Sequence, residues 1–287
     1  MAKYVVITPA KNEAKFISFT ISSIINQSIK PIKWIIVDDG STDHTYELVK
    51  ESIHNYDWIE VVKNYSNEKR APGGKVVNAF NFGLSLIKDE YDYLVKLDAD
   101  LKFNEYYFES LIKQFQINER LGISGGYCIN SLKNGDQKID NTPEYHVRGA
   151  TKIYRKNCFV AIGGLMPIFG WDGIDEMKAM KLGWQTRSFK NIHIYHLRPT
   201  GQETGTLRYA WRRGVLNYYM GYNPIYLVLS SLNNFSNKPY ILFGLTLLGG
   251  YLYSLLTNGE QMQDKDLIKF IKKFQIKRIS LLRFLAH

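Results

Sequence analysis

The first hundred residues alternate between continuous apolar runs and segments with apolar side chains on one face. The segments between the runs predict helices over residues 13–27, 43–53 and 75–88. The runs, rich in β-branched and aromatic residues, predict four buried strands: KYVVIT, WIIVDDG, WIEVV and YLVKLD. Strands that alternate with helices in this way form right-handed βαβ units. The pattern therefore predicts an α/β fold, with a Rossmann-like, mostly parallel central sheet flanked by helices.

The regular alternation ends after residue 104. The next hundred residues predict three extended pieces and one helix that ends at Gly183: GISGGYCI, HVRGATKIYRK, TRSFKNIHIYHL and, for the helix, DEMKAMKLG. Composition changes further along, because residues 214–237 and 239–259 contain no Asp, Glu, Lys or Arg. We therefore predict two domains, an α/β domain over residues 1–205 and a helical, partly apolar and basic extension over residues 206–287.

The extension suggests contact with a membrane. The chain carries a net charge of +10, and the segment DKDLIKFIKKFQIKRISLLRFL is a basic amphipathic helix of the kind that lies on anionic membranes. The alternative is a helix that packs on the first domain with a solvated basic face. Residues 239–259 are long enough for a marginal transmembrane helix, but Gly244, Gly249 and Gly250 weaken that interpretation. We expect peripheral association and not a multi-span protein.

Other features of the sequence bear on the cellular compartment. Cys128 and Cys158 have neither CxxC spacing nor a histidine at zinc-finger distance, so neither a zinc site nor a disulfide framework is indicated. The N-terminal apolar run meets Lys11, Asn12 and Glu13 at once, which is typical of a first strand and not of a signal peptide. We expect a cytoplasmic protein at the inner face of the cell membrane.

Acidic residues follow the predicted strands. Asp98 and Asp100 end the fourth apolar run, and Asp39 follows the second. Ligands of parallel sheets bind beyond the carboxyl ends of the strands. A D-x-D at such an end suits Mg²⁺ or Mn²⁺, which take carboxylate oxygens together with substrate phosphates, although a solvated turn is the simpler explanation. Ser41 and Asp43 either contact a nucleoside or cap the next helix.

The sequence contains no G-x-x-x-x-G-K-[ST] and no G-x-G-x-x-G motif, which disfavours P-loop NTPases and dinucleotide enzymes. In its order of motifs the chain instead resembles the family 2 glycosyltransferases, which have the GT-A fold and use nucleotide-sugar donors. The resemblance covers roughly residues 4–200 and is carried by five segments: VVITPAKNEAKFISFTISSIINQSIKPIKWIIVDDGSTDHT, GGKVVNAFNFGL, LVKLDADLKF, KIYRKNCFVAIGGL and GWDGIDEMKAMKLGW.

The resemblance implies roles for individual residues. Asp100 corresponds to the metal ligand, and Asp98 to the acid near the ribose and sugar of the donor. His196 stands in the region where many GT-A enzymes have a third metal ligand, although an isolated histidine is more often structural. The remaining donor-binding positions of the family, which include those that contact the nucleoside, are matched by Pro9, Asn12, Glu13, Asp39 and Lys75.

The catalytic base of the family lies in a Glu-Asp motif, whose place is taken here by WDGIDE. Asp172 falls where the Asp of that motif lies, and Trp171 replaces the Glu. Asp175 and Glu176 add a second acid pair, so the base is ambiguous. Asp172 is favoured and Asp175 is the alternative, while an N-cap for the helix is the structural explanation of Asp172.

The resemblance implies a metal-dependent, inverting enzyme that uses Mn²⁺ or Mg²⁺ and a nucleotide sugar, with uridine the usual base. One sugar is transferred to a hydroxyl of a glycan or lipid-linked acceptor in cell-envelope or polysaccharide biosynthesis, and no nucleic acid partner is expected. The Q-x-x-R-W motif of processive synthases is absent, which favours single transfer. A sugar-nucleotide nucleotidyltransferase normally has a G-x-G-x-R-like loop that ITPAKNE lacks. A non-catalytic carbohydrate-binding or scaffold protein is disfavoured by the retained acids.

Overall fold

The structure is a computed structural model, and it describes residues 2–64, 73–131, 137–140, 142–198, 205–233 and 241–284. The chain forms two compact units, residues 1–200 and 201–287. The predicted division into domains 1–205 and 206–287 lies close to this boundary, and the function of each domain stays a prediction. Each unit is described below by itself.

The first unit begins with strands and helices in alternation, as the pattern of its first hundred residues predicts. Their bounds are β1 Tyr4–Ala10, α1 Ile17–Ile25, β2 Lys33–Asp38, α2 Thr45–Ser52, β3 Ile59–Lys63, α3 Gly74–Ser85 and β4 Tyr93–Leu97. The elements that follow are β5 Leu101–Phe103, α4 Tyr107–Ile117, β6 Leu121–Ser131, β7 Gln137–Ile139, β8 Thr151–Arg155, α5 Lys156–Ala161, α6 Trp171–Lys181 and β9 Gln185–His196.

These strands form one sheet in the order β3-β2-β1-β4-β8-β6-β9-β5, with β7 paired to β6. The strands β3, β2, β1 and β4 are parallel to one another. The strand β8 runs antiparallel to β4 and β6, whereas β6 and β9 are parallel. The sheet is therefore parallel in its first half and mixed in its second, and the predicted α/β class is confirmed.

Alternation along the strands produces two apolar layers. Tyr4 and Val6 of β1 join one buried cluster, while Val5 and Ile7 join another. Successive strand side chains point to opposite faces of a sheet, so each run is buried on both sides. The helices α1 and α4 contribute to the first cluster, and α3, α5 and α6 contribute to the second. This double cover explains why the runs are continuous and not alternating.

The fold brings polar strand ends to one edge of the sheet. The strands β1, β2 and β4 are parallel, so Ala10, Asp38 and Leu97 end on the same side. The strand β5 starts beside this edge and pairs antiparallel with β9, with Leu101 opposite His196. The end of β9 therefore lies next to Asp100, 96 residues away in sequence from His196. The predicted collection of acids at this edge is present.

The second unit contains the helices α7 Thr206–Tyr219, α8 Pro224–Asn233, α9 Ile241–Leu256 and α10 Lys265–Phe284. Its apolar cluster joins Ala210 and Tyr218 of α7, Leu227 of α8, and Phe243 and Leu247 of α9. Within the described ranges, no helix has both the length and the hydropathy needed to cross a bilayer. Residues 239 and 240 of the marginal segment lie outside the described residues.

The arrangement of α10 differs from the predicted membrane-bound helix. Leu267 and Ile271, which belong to its predicted membrane face, are buried within the protein. Lys269, Lys272 and Lys273 are exposed. The first turns of α10 therefore pack inward and present a solvated basic face, because their apolar side is already covered by protein.

Candidate active site

Three side chains form a group that fits a metal ion. Ligand atoms of Asp98, Asp100 and His196 all lie within 4.8 Å of one another. His196 Nε2 lies 3.1 Å from Asp100 Oδ2. His196 Nδ1 is buried and has no hydrogen-bond partner among the described residues. Two carboxylates and one imidazole form a donor set suited to Mn²⁺ or to another divalent cation that accepts oxygen and nitrogen ligands. The predicted residues are brought together, and the role of each as a ligand stays a prediction.

An arginine joins this group to the end of β1. Arg198 forms an ion pair with Glu13, and its Nε lies 3.5 Å from Asp100 Oδ2. Burial and the negative charge of Asp100 raise the pKa of Glu13 to about 7, although Arg198 opposes that rise. Burial disfavours the imidazolium of His196, but its hydrogen bond to Asp100 and the negative charges of Asp100 and Asp98 together outweigh this effect, and the pKa is raised. The edge of the sheet thus concentrates negative charge around one arginine.

A buried lysine neutralises part of that charge from within the sheet. Lys96 of β4 is 2% exposed, and its ammonium group forms an ion pair with Asp98. Its Nζ also donates to the carbonyl oxygen of Gly149 at 2.7 Å. Burial raises the pKa of Asp98 although Lys96 favours the charged form. Lys96 therefore fixes the position of the first acid of the D-x-D.

Of the predicted nucleoside-binding residues, Pro9 lies near the end of β1, and the others lie on the loops after β1 and β2. Asn12 has a left-handed backbone conformation with φ 55°, and its side-chain oxygen accepts the Thr42 amide at 2.8 Å. The Asp39 amide donates to Ala10 O at 2.9 Å, next to Pro9. Asp39 Oδ1 accepts a hydrogen bond from Asn64 Nδ2 at 3.3 Å. The two loops are thus cross-linked into one rim of the sheet edge.

Ser41 and Asp43 hold this rim together. Ser41 Oγ accepts the Asn12 amide at 2.9 Å, and Asp43 Oδ2 accepts the Ala14 amide at 3.2 Å. Asp43 Oδ1 also accepts the Thr45 amide at 3.0 Å, at the start of α2. Both side chains therefore have structural partners, in keeping with the capping explanation for Asp43.

Lys75 lies in the first turn of α3, beside the start of α6. A methyl group on Gly73 would lie 2.7 Å from the carbonyl oxygen of Ile168, so the two backbones approach as closely as only glycine allows. Gly73 also has a positive φ of 78°, a second reason for glycine there. Residues 65–72 of the preceding loop lie outside the described residues. The close approach brings the N-terminal ends of α3 and α6 together.

The three acids of WDGIDE occupy different environments. Asp172 is partly exposed in the first turn of α6, whereas Asp175 and Glu176 are almost fully buried. A methyl group on Gly149 would lie 3.1 Å from Asp172 Oδ2, so Asp172 borders the residue whose carbonyl holds Lys96. Burial disfavours the charged form of Asp172, but the positive charges of Lys152, His146 and other basic groups outweigh it and lower the pKa.

Asp175 and Glu176 are bound by buried partners. Lys152 Nζ lies 2.8 Å from Asp175 Oδ1 and 3.0 Å from Glu176 Oε1. Tyr154 donates to Asp175 Oδ2 at 2.6 Å, and the Val147 amide donates to Glu176 Oε1 at 2.7 Å. Burial raises the pKa of Asp175 to about 7. These contacts anchor α6 to the sheet and leave both carboxylates enclosed.

Sequence reasoning missed the two buried lysines. Lys96 and Lys152 lie opposite each other in the pairing of β4 with β8. Their ammonium groups lie 5.3 and 5.6 Å from the Trp171 ring centre, within the range of a cation–π contact. Each lysine lies within a strand, YLVKL or TKIYR, whose neighbouring residues are buried. A charged residue inside such a strand was the signal in the sequence that a buried ion pair is present. Trp171, the residue that stands where the resemblance expects a Glu, thus contacts both lysines.

With this geometry described, the chain can be compared with known proteins. Residues 5–169 match the model of the family described as Glycosyl transferase family 2. The chain belongs to glycosyltransferase family 2. Poly-beta-1,6-N-acetyl-D-glucosamine synthase of Staphylococcus epidermidis, a curated relative, is 30% identical over 142 residues, which are 49% of this chain and 32% of that protein. The chain spans about a third of the length of this and other curated relatives.

Solved structures share the GT-A fold with this family 2 chain. Mannosyltransferase PcManGT from Pyrobaculum calidifontis, in complex with GDP-Man and Mn²⁺, aligns with a TM-score of 0.57 and 16% identity over 89% of this chain and 74% of that one. S. aureus TarS 1–349 aligns with a TM-score of 0.53 and 17% identity over 89% and 72%. At these identities the comparison shows the fold alone.

Proposed function

We propose that the chain is a metal-dependent, inverting glycosyltransferase that moves one sugar from a UDP-sugar to a hydroxyl of a glycan or lipid-linked acceptor. The observation that carries this proposal is the grouping of Asp98, Asp100 and His196 at the carboxyl edge of the sheet, with Asp172 nearby across Gly149. The group suits a cation and a diphosphate, and Asp172 suits an acceptor hydroxyl.

Asp100 and His196 would hold the metal, with Asp98 beside them near the ribose and sugar of the donor. The ion, when bound, supplies positive charge that stabilises the departing nucleoside diphosphate. The complex of PcManGT with Mn²⁺ supports this part of the proposal. Lys75 would add positive charge at the diphosphate. It lies in the first turn of α3, where the positive end of the helix dipole would add to this effect.

Asp172 would be the base. It is the one acid of the three that is partly exposed, and the positive groups around it keep its pKa low, so it is ionised at neutral pH. Asp172 takes the proton of the acceptor hydroxyl as that oxygen bonds to the anomeric carbon, while the bond from that carbon to the diphosphate oxygen breaks on the opposite face. Asp175 and Glu176 would act through α6 by holding Asp172 in place.

The nature of donor and acceptor is proposed from relatives. A second TarS structure contains UDP-GlcNAc, and it aligns with a TM-score of 0.51 and 17% identity. This supports a uridine nucleotide, held by Pro9, Asn12, Glu13 and Asp39. The polysaccharide synthase among the relatives supports an acceptor in cell-envelope or polysaccharide biosynthesis. The proposed location of the protein is the anionic inner face of the cell membrane, and the net charge of +10 supports it.

The test is nucleotide release from a panel of sugar nucleotides, with and without Mn²⁺. We expect release that requires both the metal and one donor. Asp100→Ala and Asp172→Asn should each lower that release about 100-fold or more, since a metal and a general base each contribute on that order. The exposed Asp57→Asn is the matched control and should leave the rate unchanged.

Two results would contradict the proposal. Wild-type rates in Asp100→Ala or Asp172→Asn, with the variant folded by circular dichroism, would remove that residue from its role. Pyrophosphate release from a sugar phosphate and a nucleoside triphosphate would support a nucleotidyltransferase instead.

A further inference from the structure

Two helices of the second unit expose continuous apolar stripes. On α8 the exposed side chains are Ile225, Val228, Leu229 and Leu232. Their spacing of three and four residues puts them on one side of the helix, and none is polar. Ile225 is 67% exposed. The outer side of α8 is therefore apolar where an ordinary surface helix is polar.

The helix α9 has the same character over a greater length. It contains no charged residue in its 16 positions, so its exposed side has no charged edge of its own. Its large exposed side chains are Ile241, Leu242, Leu245, Leu252, Tyr253, Leu255 and Leu256. Leu256, near the end of the helix, is 81% exposed. The opposite side of α9 is buried in the unit's own apolar cluster.

The two stripes belong to neighbouring helices that pack together. Leu227 of α8 and Leu247 of α9 are buried in the same cluster, so each helix exposes the side that it turns away from that cluster. The ring centres of Trp211 and Tyr253 lie 5.5 Å apart and extend this surface toward α7. We call the exposed side chains of α8 and α9 the α8–α9 face. Large apolar side chains exposed in this number on two adjacent helices indicate an interaction site.

One neighbour of α8 within the unit is the basic helix α10. The helix α10 packs against α8, and Arg278 Nη1 lies 3.2 Å from the Tyr226 hydroxyl, within hydrogen-bonding distance. The exposed residues of α10 include Lys269, Lys272 and Lys273. Residues 201–287 carry 11 Lys and Arg against four Asp and Glu. An apolar face beside a basic helix is complementary to a lipid surface with anionic phosphates, and like charges oppose the docking of a second copy.

We infer that the α8–α9 face docks on an anionic membrane, with α8 and α9 lying in the interfacial layer of one leaflet and the lysines of α10 at the headgroups. The length of α9 agrees, because 16 residues span about 24 Å, less than the ~30 Å hydrocarbon core. This deepens the membrane partner of the proposed function, because it assigns the apolar contact to α8 and α9 and the charge to α10.

The experiment measures binding of the full chain to sedimented vesicles of phosphatidylcholine alone or mixed with phosphatidylglycerol. We expect binding to the mixed vesicles. Leu245→Ser with Leu252→Ser should weaken it at least about tenfold, because two exposed leucines leave the interface. Lys272→Gln with Lys273→Gln should weaken it less and reduce its dependence on salt. The control is Ile117→Ser, a 79% exposed apolar residue of the first unit, which should bind as wild type.

The outcomes separate the possible occupants. Wild-type binding by the leucine variant, or no binding by the wild-type chain, overturns the inference. A dimer in light scattering that is lost on Leu245→Ser would assign the face to a second copy and also overturns it. Because vesicle binding needs no sugar transfer, failure here removes the proposed membrane location but leaves the proposed sugar transfer standing, and failure of nucleotide release leaves this inference standing.

Discussion

The two units of the chain depart in opposite ways from the usual rule that charged side chains are exposed and apolar side chains are buried. The first buries charge: Lys152, Asp175 and Glu176 are each at most 2% exposed. The second exposes apolar side chains along α8 and α9, among them Leu256. Each departure costs free energy in an isolated unit. In the first unit the cost is offset internally, because each of these charges has partners at hydrogen-bond distance. In the second, the inferred membrane would offset it externally.

This difference indicates that a requirement other than stability acts on each unit. Buried ion pairs rarely add stability over apolar packing, so their presence points to positioning, here of α6 and Asp172. Exposed leucines add no stability to a soluble helix, so their presence points to a contact surface. The predictions below test this comparison, from the largest expected effect to the smallest.

Lys152→Met should have the largest effect on stability. It leaves Asp175 and Glu176 buried without their cation, and breaking a buried pair costs about 3–5 kcal/mol. Urea denaturation monitored by tryptophan fluorescence measures this loss. The matched control is Lys113→Met on the solvent side of α4, where the ion pair with Glu109 is at the surface and the change should stay within about 0.5 kcal/mol. A loss no larger than that of the control would contradict the role of Lys152.

Gly214→Ala should have the next largest effect and should act on the second unit. A methyl group there would lie 2.0 Å from the carbonyl oxygen of Leu247, so α7 and α9 would have to separate. Overpacking of this kind costs about 1–3 kcal/mol. Thermal unfolding followed by circular dichroism measures it.

Gly173→Ala is the matched control for Gly214→Ala. Gly173 lies within α6, and a methyl group there meets nothing within 4 Å. Replacing a helical glycine in open space should raise stability by about 0.5–1 kcal/mol. If both alanine variants changed stability alike, close packing of α7 on α9 would be disproved.

Asp175→Asn should change the pH dependence of the free energy of unfolding more than the value of that free energy at a single pH. Burial raises the Asp175 pKa to about 7, above its unfolded value of roughly 3.9. The folded state therefore holds a proton more tightly, and its stabilising effect is present at low pH and is lost as pH rises through about 7. Denaturation between about pH 4 and 7 should show a shallower decline in the variant. Asp57→Asn should retain the wild-type slope.

The sequence was sufficient where local pattern decides structure. The strands before Pro9, Asp38 and Asp98 could be predicted because burial on two sides makes their sequences continuously apolar. The position of the acids at one edge could be predicted because the strands are parallel. The meeting of Asp100 with His196 rests on the resemblance, because 96 residues separate them and strand order is not a local property. Register decided it, since β9 must end opposite Leu101.

The roles of individual acids and apolar faces also needed tertiary structure. WDGIDE offers three carboxylates, and their environments differ only because Lys152, from another strand, reaches two of them. The amphipathic pattern of α10 predicts that one side is apolar. It does not distinguish a membrane from a protein as the neighbour of that side. The fold supplied the neighbour for Leu267 and left Leu245 of α9 exposed.

By itself, then, the sequence determined the α/β class, the alternating strands and helices of the first hundred residues and the edge at which charge collects, because periodicity and burial are read along the chain. Tertiary structure alone decided which acids are enclosed, which lysines neutralise them and which helices remain uncovered. Those outcomes depend on the surroundings of each side chain, and the surroundings are made by residues far away in sequence.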